Sequence, residues 1–253
     1  MRFKIWFLFI LVTLTPALLF GLEVSYAYVK DEAKHEFNKK LLNSILEKKF
    51  IKPNANLSPA SQAKHLNSKI AKVAHELINQ GFCVDAYAVP DAAPDSIISF
   101  SCHVLWEGEK NVTGPVPITF FIYIWPSEKL ALAYNASNPL NCRYHTIIHS
   151  HPISCSFAVL QGSLVQNNYV CTNPSVKPKL VRFVNEEIFN EGEGDVDLLT
   201  KPFIHQLYNR DCSSKVCLSL HAYGLSSESK VWDCFDATKT DCTFQLEALS
   251  PKN

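Results

Sequence analysis

Methionine occurs once in the 253 residues, and charged side chains make up only 19%, with 24 basic and 24 acidic groups in balance. No basic run stands out, which excludes a dedicated electrostatic surface for nucleic acid. There is no CxxC pair, so a zinc knuckle and a thioredoxin-type motif are both excluded. Internal repeats and low-complexity tracts are also missing, which rules out a solenoid or a long disordered tail. What is present is 47% hydrophobic and 11% aromatic. That composition fits a globular chain with a sizeable core, one main domain with a modest extension, and a stiff, β-rich interior.

The N-terminus carries Arg2 and Lys4 ahead of an apolar stretch from Ile5 to Leu22. A positive end followed by such a run reads as an export leader. Ser25 and Ala27 supply the small side chains of a cleavage site that would leave Tyr28 first. An uncleaved membrane anchor through residues 5–22 is the alternative, since about 18 residues is the lower limit for a span. The expected localisation is therefore exported (secreted, periplasmic or anchored), with the cytoplasm as the second choice. Nine cysteines agree with export: Cys83, Cys102, Cys142, Cys155, Cys171, Cys212, Cys217, Cys234 and Cys242. The odd total leaves at least one thiol outside any intrachain bridge. If that thiol is Cys155, eight remain for up to four disulfides. Cys212/Cys217 and Cys234/Cys242 lie close enough in sequence to staple loops. Asn56, Asn111 and Asn135 head Asn-x-Ser/Thr sequons.

Two helices are expected before residue 82. One covers Lys30 to Phe50, with Ala33, Phe37, Leu41, Leu42, Ile45 and Leu46 near helical spacing. The other starts at Ser58-Pro59, a cap followed by proline in the first turn, and runs through Ile70, Val73, Ala74, Leu77 and Ile78 to Gly81. From Phe82 the pattern changes to short apolar runs separated by Pro, Gly, Asn and Ser clusters. These are Ile97–Leu105, Ile118–Trp125, Leu130–Tyr134, Tyr144–Ile148, Phe157–Leu160, Leu164–Gln166, Leu180–Val184, Phe203–Tyr208 and Val216–Tyr223. Many short strands at such spacing predict a mainly β barrel or sandwich. The chain divides into a leader (1–27), a helical segment (28–81) and a β-barrel domain (82–253), with two helices packed outside a jelly roll.

The chemistry is concentrated in a few residues. His149 and His151 alternate on a strand and so share a face, and His205 arrives on a later strand followed by Asn209. Neutral imidazoles suit iron, copper, zinc or nickel and leave coordination positions for water, substrate or O₂. His145 is a spare, four residues before His149, placed at the rim. Cys155 stands where a carboxylate ligand often follows His-x-His. Ser219, His221 and Tyr223 alternate along one strand face, so a hydroxyl, an imidazole and a phenol can form a relay.

His149-x-His151, Cys155 with Phe157 to Gly162, His205-x-x-x-Asn209 and Ser219-Leu220-His221-x-Tyr223 together resemble the thiol dioxygenases, cysteine dioxygenase in particular, within the cupin superfamily. The resemblance spans about half the chain, from near Ile118 to Asp236. It implies a cupin-type jelly-roll barrel with Fe(II) held by His149, His151 and His205. It also implies a relay from Ser219 through His221 to Tyr223, with Tyr223 orienting oxygen and moving a proton. A Cys155–Tyr223 thioether is implied as well. The reaction implied is oxidation of a small thiol to its sulfinate by O₂. The partners are then a small thiol and O₂, with no nucleic acid, and the chain is expected to be a monomer. The segment that supplies a carboxylate-binding Arg in that family reads Ile118-Thr119-Phe120-Phe121 here, which leaves thiols other than cysteine open as substrates.

Two rival readings use the same residues. In one, the cupin keeps a metal but binds a ligand without turnover. In the other, a disulfide-stapled secreted β-domain acts as an interaction module, with Cys155 a disulfide partner and the histidines incidental.

Overall fold

The computed structural model describes residues 28–29, 31–51, 59–88, 101–108, 118–127, 129–130, 145–146, 148–150, 155–173, 179–197, 204–210, 216–224 and 244–246. In chain order these form β1 (Tyr28–Val29), α1 (Glu32–Ile45) with a π-helical extension (Leu46–Phe50), α2 (Pro59–Asn67) and α3 (Ile70–Asn79). Strands follow as β2 (Tyr87–Ala88), β3 (Ser101–Glu107), β4 (Ile118–Trp125), β5 (His149–Ser150) and β6 (Cys155–Gln161). The remaining strands are β7 (Ser163–Asn173), β8 (Lys179–Asn190), β9 (Gly194–Asp197), β10 (Ile204–Asn209), β11 (Cys217–Gly224) and β12 (Phe244–Leu246).

The first helix begins where Asp31 caps it, its side chain accepting from the Lys34 amide at 3.1 Å, which satisfies an orphan N–H of the first turn. It buries His35, Asn38, Leu42 and Ile45, a stripe at helical spacing. Asn38 is the polar member of that stripe. It bonds the backbone of Cys83 in both directions, at 3.0 and 2.8 Å, so its burial leaves no amide unsatisfied. Phe37, expected in the core, lies on the opposite face and is 46% exposed.

The second expected helix is two. Ser68 interrupts it, its hydroxyl bonding back to the His65 carbonyl at 2.7 Å and competing with the helical ladder. α3 then ends at Gly81, whose φ of 84° lets its amide bond Ile78 and the Phe82 amide bond Leu77, at 3.1 and 3.0 Å. This pair of bonds is the glycine C-cap that a side chain would strain.

Two five-stranded sheets build the barrel, in the orders β3-β4-β11-β6-β9 and β12-β8-β7-β10-β5, while β1 pairs with β2. Neighbours are antiparallel except β12 with β8. The expected mainly β, jelly-roll architecture with helices outside is what the structure shows. β11 is buried at all eight positions because it is covered on both faces. Its even residues Leu218, Leu220 and Ala222 pack with Phe120, Ile122, Leu160 and the helical Leu42, Ile70, Val73 and Leu77. Its odd residues Cys217 and Tyr223 face the barrel interior with Tyr123, Trp125, Cys155, Phe157, Leu164 and Leu207.

Parts of the expected strands fall outside the described residues: 97–100, 131–134, 144, 147 and 203. Leu130 is in a helical turn rather than a strand, and His145 makes only an isolated bridge to Tyr208. The leader, residues 1–27, also lies outside. Among the described residues no helix is long and apolar enough to cross a membrane. No disulfide joins any two of the described cysteines Cys83, Cys102, Cys155, Cys171 and Cys217.

The helix faces make a direct prediction. Leu77→Ala, at a fully buried position, lowers unfolding free energy by about 2–5 kcal/mol. Phe37→Ala changes it by less than about 0.5 kcal/mol. Urea denaturation of both variants checks this, and equal losses would contradict the assigned faces.

Candidate metal and relay site

β5 pairs antiparallel with β10 so that His149 stands directly opposite His205. Both point inward, 8% and 2% exposed, with ring centres 4.6 Å apart and planes tilted by 50°. Cross-strand neighbours are brought this close by register alone. Two imidazoles bound side by side to one first-row ion, with nitrogen bonds of about 2.0–2.1 Å, would have centres about 4.5–5.2 Å apart between square and tetrahedral bond angles. This donor pair fits such an ion. His151, the third expected ligand, lies outside the described residues. Among the described residues no group of three or more His, Cys, Asp or Glu side chains converges.

The ring of His205 is oriented from behind. Its Nδ1 lies 3.0 Å from Gln166 Oε1, and Gln166 Nε2 donates to Asp195 Oδ2 at 2.8 Å. His145 is not a competing ligand. Its Nδ1 is 3.1 Å from Gln206 Nε2, and Gln206 is on the face of β10 opposite His205 and Leu207. Asn209, the last residue of the His-x-x-x-Asn pattern, is buried and donates to the Trp125 carbonyl at 3.1 Å, so its role is to tie β10 to β4.

The relay is assembled on β11 and β4. Trp125 Nε1 sits 2.7 Å from Ser219 Oγ, which is 2.8 Å from His221 Nε2. His221 Nδ1 and Tyr223 Oη are 3.4 Å apart, and Tyr223 Oη is 3.4 Å from Tyr123 Oη. Indole N–H only donates, so Ser219 Oγ accepts from Trp125, and at the other end Tyr223 Oη donates to Tyr123 Oη. Burial pushes the His221 imidazole down to about 3, with His149 acting in the same direction, so the ring is neutral near pH 7. Burial also raises the Tyr123 hydroxyl well above its usual range, which keeps it protonated.

Cys155 and Tyr223 are register partners across β6 and β11, both nearly fully buried. Phe121 meets the Tyr223 ring edge-on at 5.8 Å, and Phe157 stacks on His221 at 5.5 Å. The structure therefore brings together Cys155, Ser219, His221 and Tyr223, and separately pairs His149 with His205.

Sequence reasoning missed Tyr123, Trp125, Gln166 and Asp195. Tyr123 and Trp125 share a parity within Ile118–Trp125, a signal visible once that strand is set beside Ser219. Gln166 was visible as a polar residue inside an apolar strand run. The contact between Asp195 and Gln166 has no local signal, because it joins the two sheets.

The fold and these residues define a two-sheet, mainly β protein with an inward imidazole pair and a buried phenol relay. No family model matches the chain, and no curated protein does. Solved structures similar to it include an oxalate oxidase in complex with the substrate analogue glycolate, at 9% identity and a TM-score of 0.33, covering 54% of this chain and 56% of that one. A cupin_2 domain of an XRE family transcriptional regulator from Enterobacter cloacae is 12% identical with a TM-score of 0.30, covering 51% and 98%. A cupin superfamily protein from Desulfitobacterium hafniense is 6% identical with a TM-score of 0.31, covering 55% and 85%. The chain spans a little over half the length of the oxalate oxidase.

The buried imidazole generates a pH prediction. The unfolded chain protonates this side chain near its ordinary value of about 6.5, while the folded chain resists until far lower pH. Between those values the unfolded state binds more protons. The contribution of His221 to stability is therefore complete above about 6.5 and is lost as pH falls toward 3. In denaturation midpoints measured from pH 7 to 4, His221→Gln should show a shallower fall than the parent chain. Parallel slopes would contradict the buried neutral ring.

Proposed function

We propose that this chain is a mononuclear non-haem iron thiol dioxygenase, with Fe(II) held by His149, His205 and His151. The reaction is RSH + O₂ → RSO₂H, in which both oxygen atoms end on sulfur. The observation that carries the reading is the register pairing of Cys155 with Tyr223 on the inner face, at the end of the Ser219–His221–Tyr223 relay.

When bound, Fe(II) with neutral imidazole ligands supplies a site of undiminished positive charge for a thiolate and for O₂ activation. The chain's own residues do the rest. Gln166 holds His205 in place, and the aromatic wall of Phe121, Phe157, Tyr123 and Trp125 excludes water. His221 is neutral and held between Ser219 and Tyr223, so it steadies the Tyr223 oxygen. Tyr223, whose O–H rests on Tyr123, turns it to a substrate oxygen when substrate is bound, hydrogen-bonds that oxygen and moves a proton. Thr119 and Phe121 of β4 flank Tyr223, so the wall that faces the substrate there is aromatic rather than cationic. That favours testing aminothiols without a carboxylate beside cysteine.

Protein loaded anaerobically with Fe(II) should hold about one iron per chain and consume O₂ while converting a small thiol to its sulfinate. Tyr223→Phe should lower kcat by about 10²-fold or more while iron content holds. Absence of both iron and O₂ uptake rejects the reading. If metal is bound tightly with no thiol oxidation, the chain is a binding protein.

A separate check reads the Cys155–Tyr223 pair. Peptide mass spectrometry after turnover should show the two peptides joined with loss of two hydrogens, and Cys155→Ala should abolish the species. A disulfide at Cys155 instead would sink the enzymatic account.

A further inference from the structure

We propose that Gln166, backed by Asp195, is a positioning residue that locks His205 in the Nδ1–H tautomer, so that Nε2 carries the lone pair that faces the metal. The inference rests on the metal reading above, and its observations are separate from the relay. Gln166 is fully buried on β7; its own register partner on β10 is Leu207, and His205 stands opposite Asn168, two residues further along β7. Its side chain reaches along the strand to His205 Nδ1 at 3.0 Å through Oε1. The amide cannot turn round freely, because its Nε2 donates to Asp195 Oδ2 at 2.8 Å and a carboxylate only accepts. Oε1 therefore faces the imidazole, and an amide oxygen requires a proton on Nδ1. Asp195 is fixed in turn: its other oxygen accepts from the Val196 amide at 2.7 Å.

The bond also spans the barrel. Asp195 is on β9 of one sheet, opposite Phe157, and Gln166 is on β7 of the other. Gly194 lets β9 lie close against β6 of its own sheet, since a Cβ there would collide with the Phe157 carbonyl. The ligand ring is oriented through a bond that joins the two sheets. Partners of this kind, behind a ligating histidine, fix the tautomer and raise the basicity of the coordinating nitrogen.

The test has two readouts on the full chain. Nitrogen-15 NMR of metal-free protein at pH 7.5 should show His205 as the Nδ1–H tautomer, and Gln166→Met should lose that preference. Competition of Co(II) against a chelating dye should show Gln166→Met weakened by about 10–100-fold. A parent His205 protonated on Nε2, or a Gln166→Met protein that binds Co(II) as tightly as the parent, overturns the lock alone. A parent chain that takes up no Co(II) overturns the metal reading and the ligand role of Nε2 with it. Should Gln166→Met fail to fold, the parent tautomer and Asp195→Asn, expected to weaken Co(II) in the same direction, decide the matter.

Discussion

The register of β11 between β4 and β6 is the constraint on which the rest depends. This strand is buried on both faces, so a slip by one residue would exchange its helix-facing and interior-facing sets. The even residues are aliphatic and fit the layer formed by α1 and α3. The odd residues are Cys217, Ser219, His221 and Tyr223, and each finds a polar or aromatic partner only on the interior side. In the observed register the hydrophobic requirement of the outer face places a serine, an imidazole and a phenol in a row inside the barrel. Apolar packing is non-directional, yet here it fixes the aim of a polar relay.

A second consequence is that the site is divided between the sheets. The relay belongs to β11 and β4, the imidazole pair to β5 and β10, and the bond from Asp195 to Gln166 joins the two sets of strands. Buried polar groups of this kind destabilise a fold unless each is satisfied. Here the satisfied bonds also carry orientation. Trp125 holds the Ser219 oxygen, and Asp195 sets the direction of the Gln166 amide. For the amide, a carboxylate that only accepts removes the ambiguity between its oxygen and nitrogen ends.

Much of this was legible from residue order. The alternation of Ser219, His221 and Tyr223 and the apolar run Ile118–Trp125 mark strands that the structure contains, and β4 has the expected bounds at both ends. Gly81 marked the end of α3. The misses have physical causes. The stripe containing Phe37 has alternatives one step round the helix, and tertiary packing chose the face with His35 and Asn38, whose polarity the pattern discounted. The break at Ser68 comes from a side-chain bond that competes locally with the helix. Strand lengths were underestimated for β7 and β8, because their long polar ends follow no alternation. Gln166 and Asp195 could not be joined from sequence, since their contact depends on the distance between two sheets.

The central claim is that imidazole nitrogens from β5 and β10 share one metal ion with His151. X-ray absorption at the metal edge of Co(II)-loaded protein tests it most directly. The account predicts about three imidazoles, with nitrogen at about 2.0–2.2 Å and the outer-shell scattering of histidine rings, and loss of that signature in His205→Ala. A first shell of oxygen or sulfur without imidazole scattering, or an unchanged spectrum in His205→Ala, would contradict it.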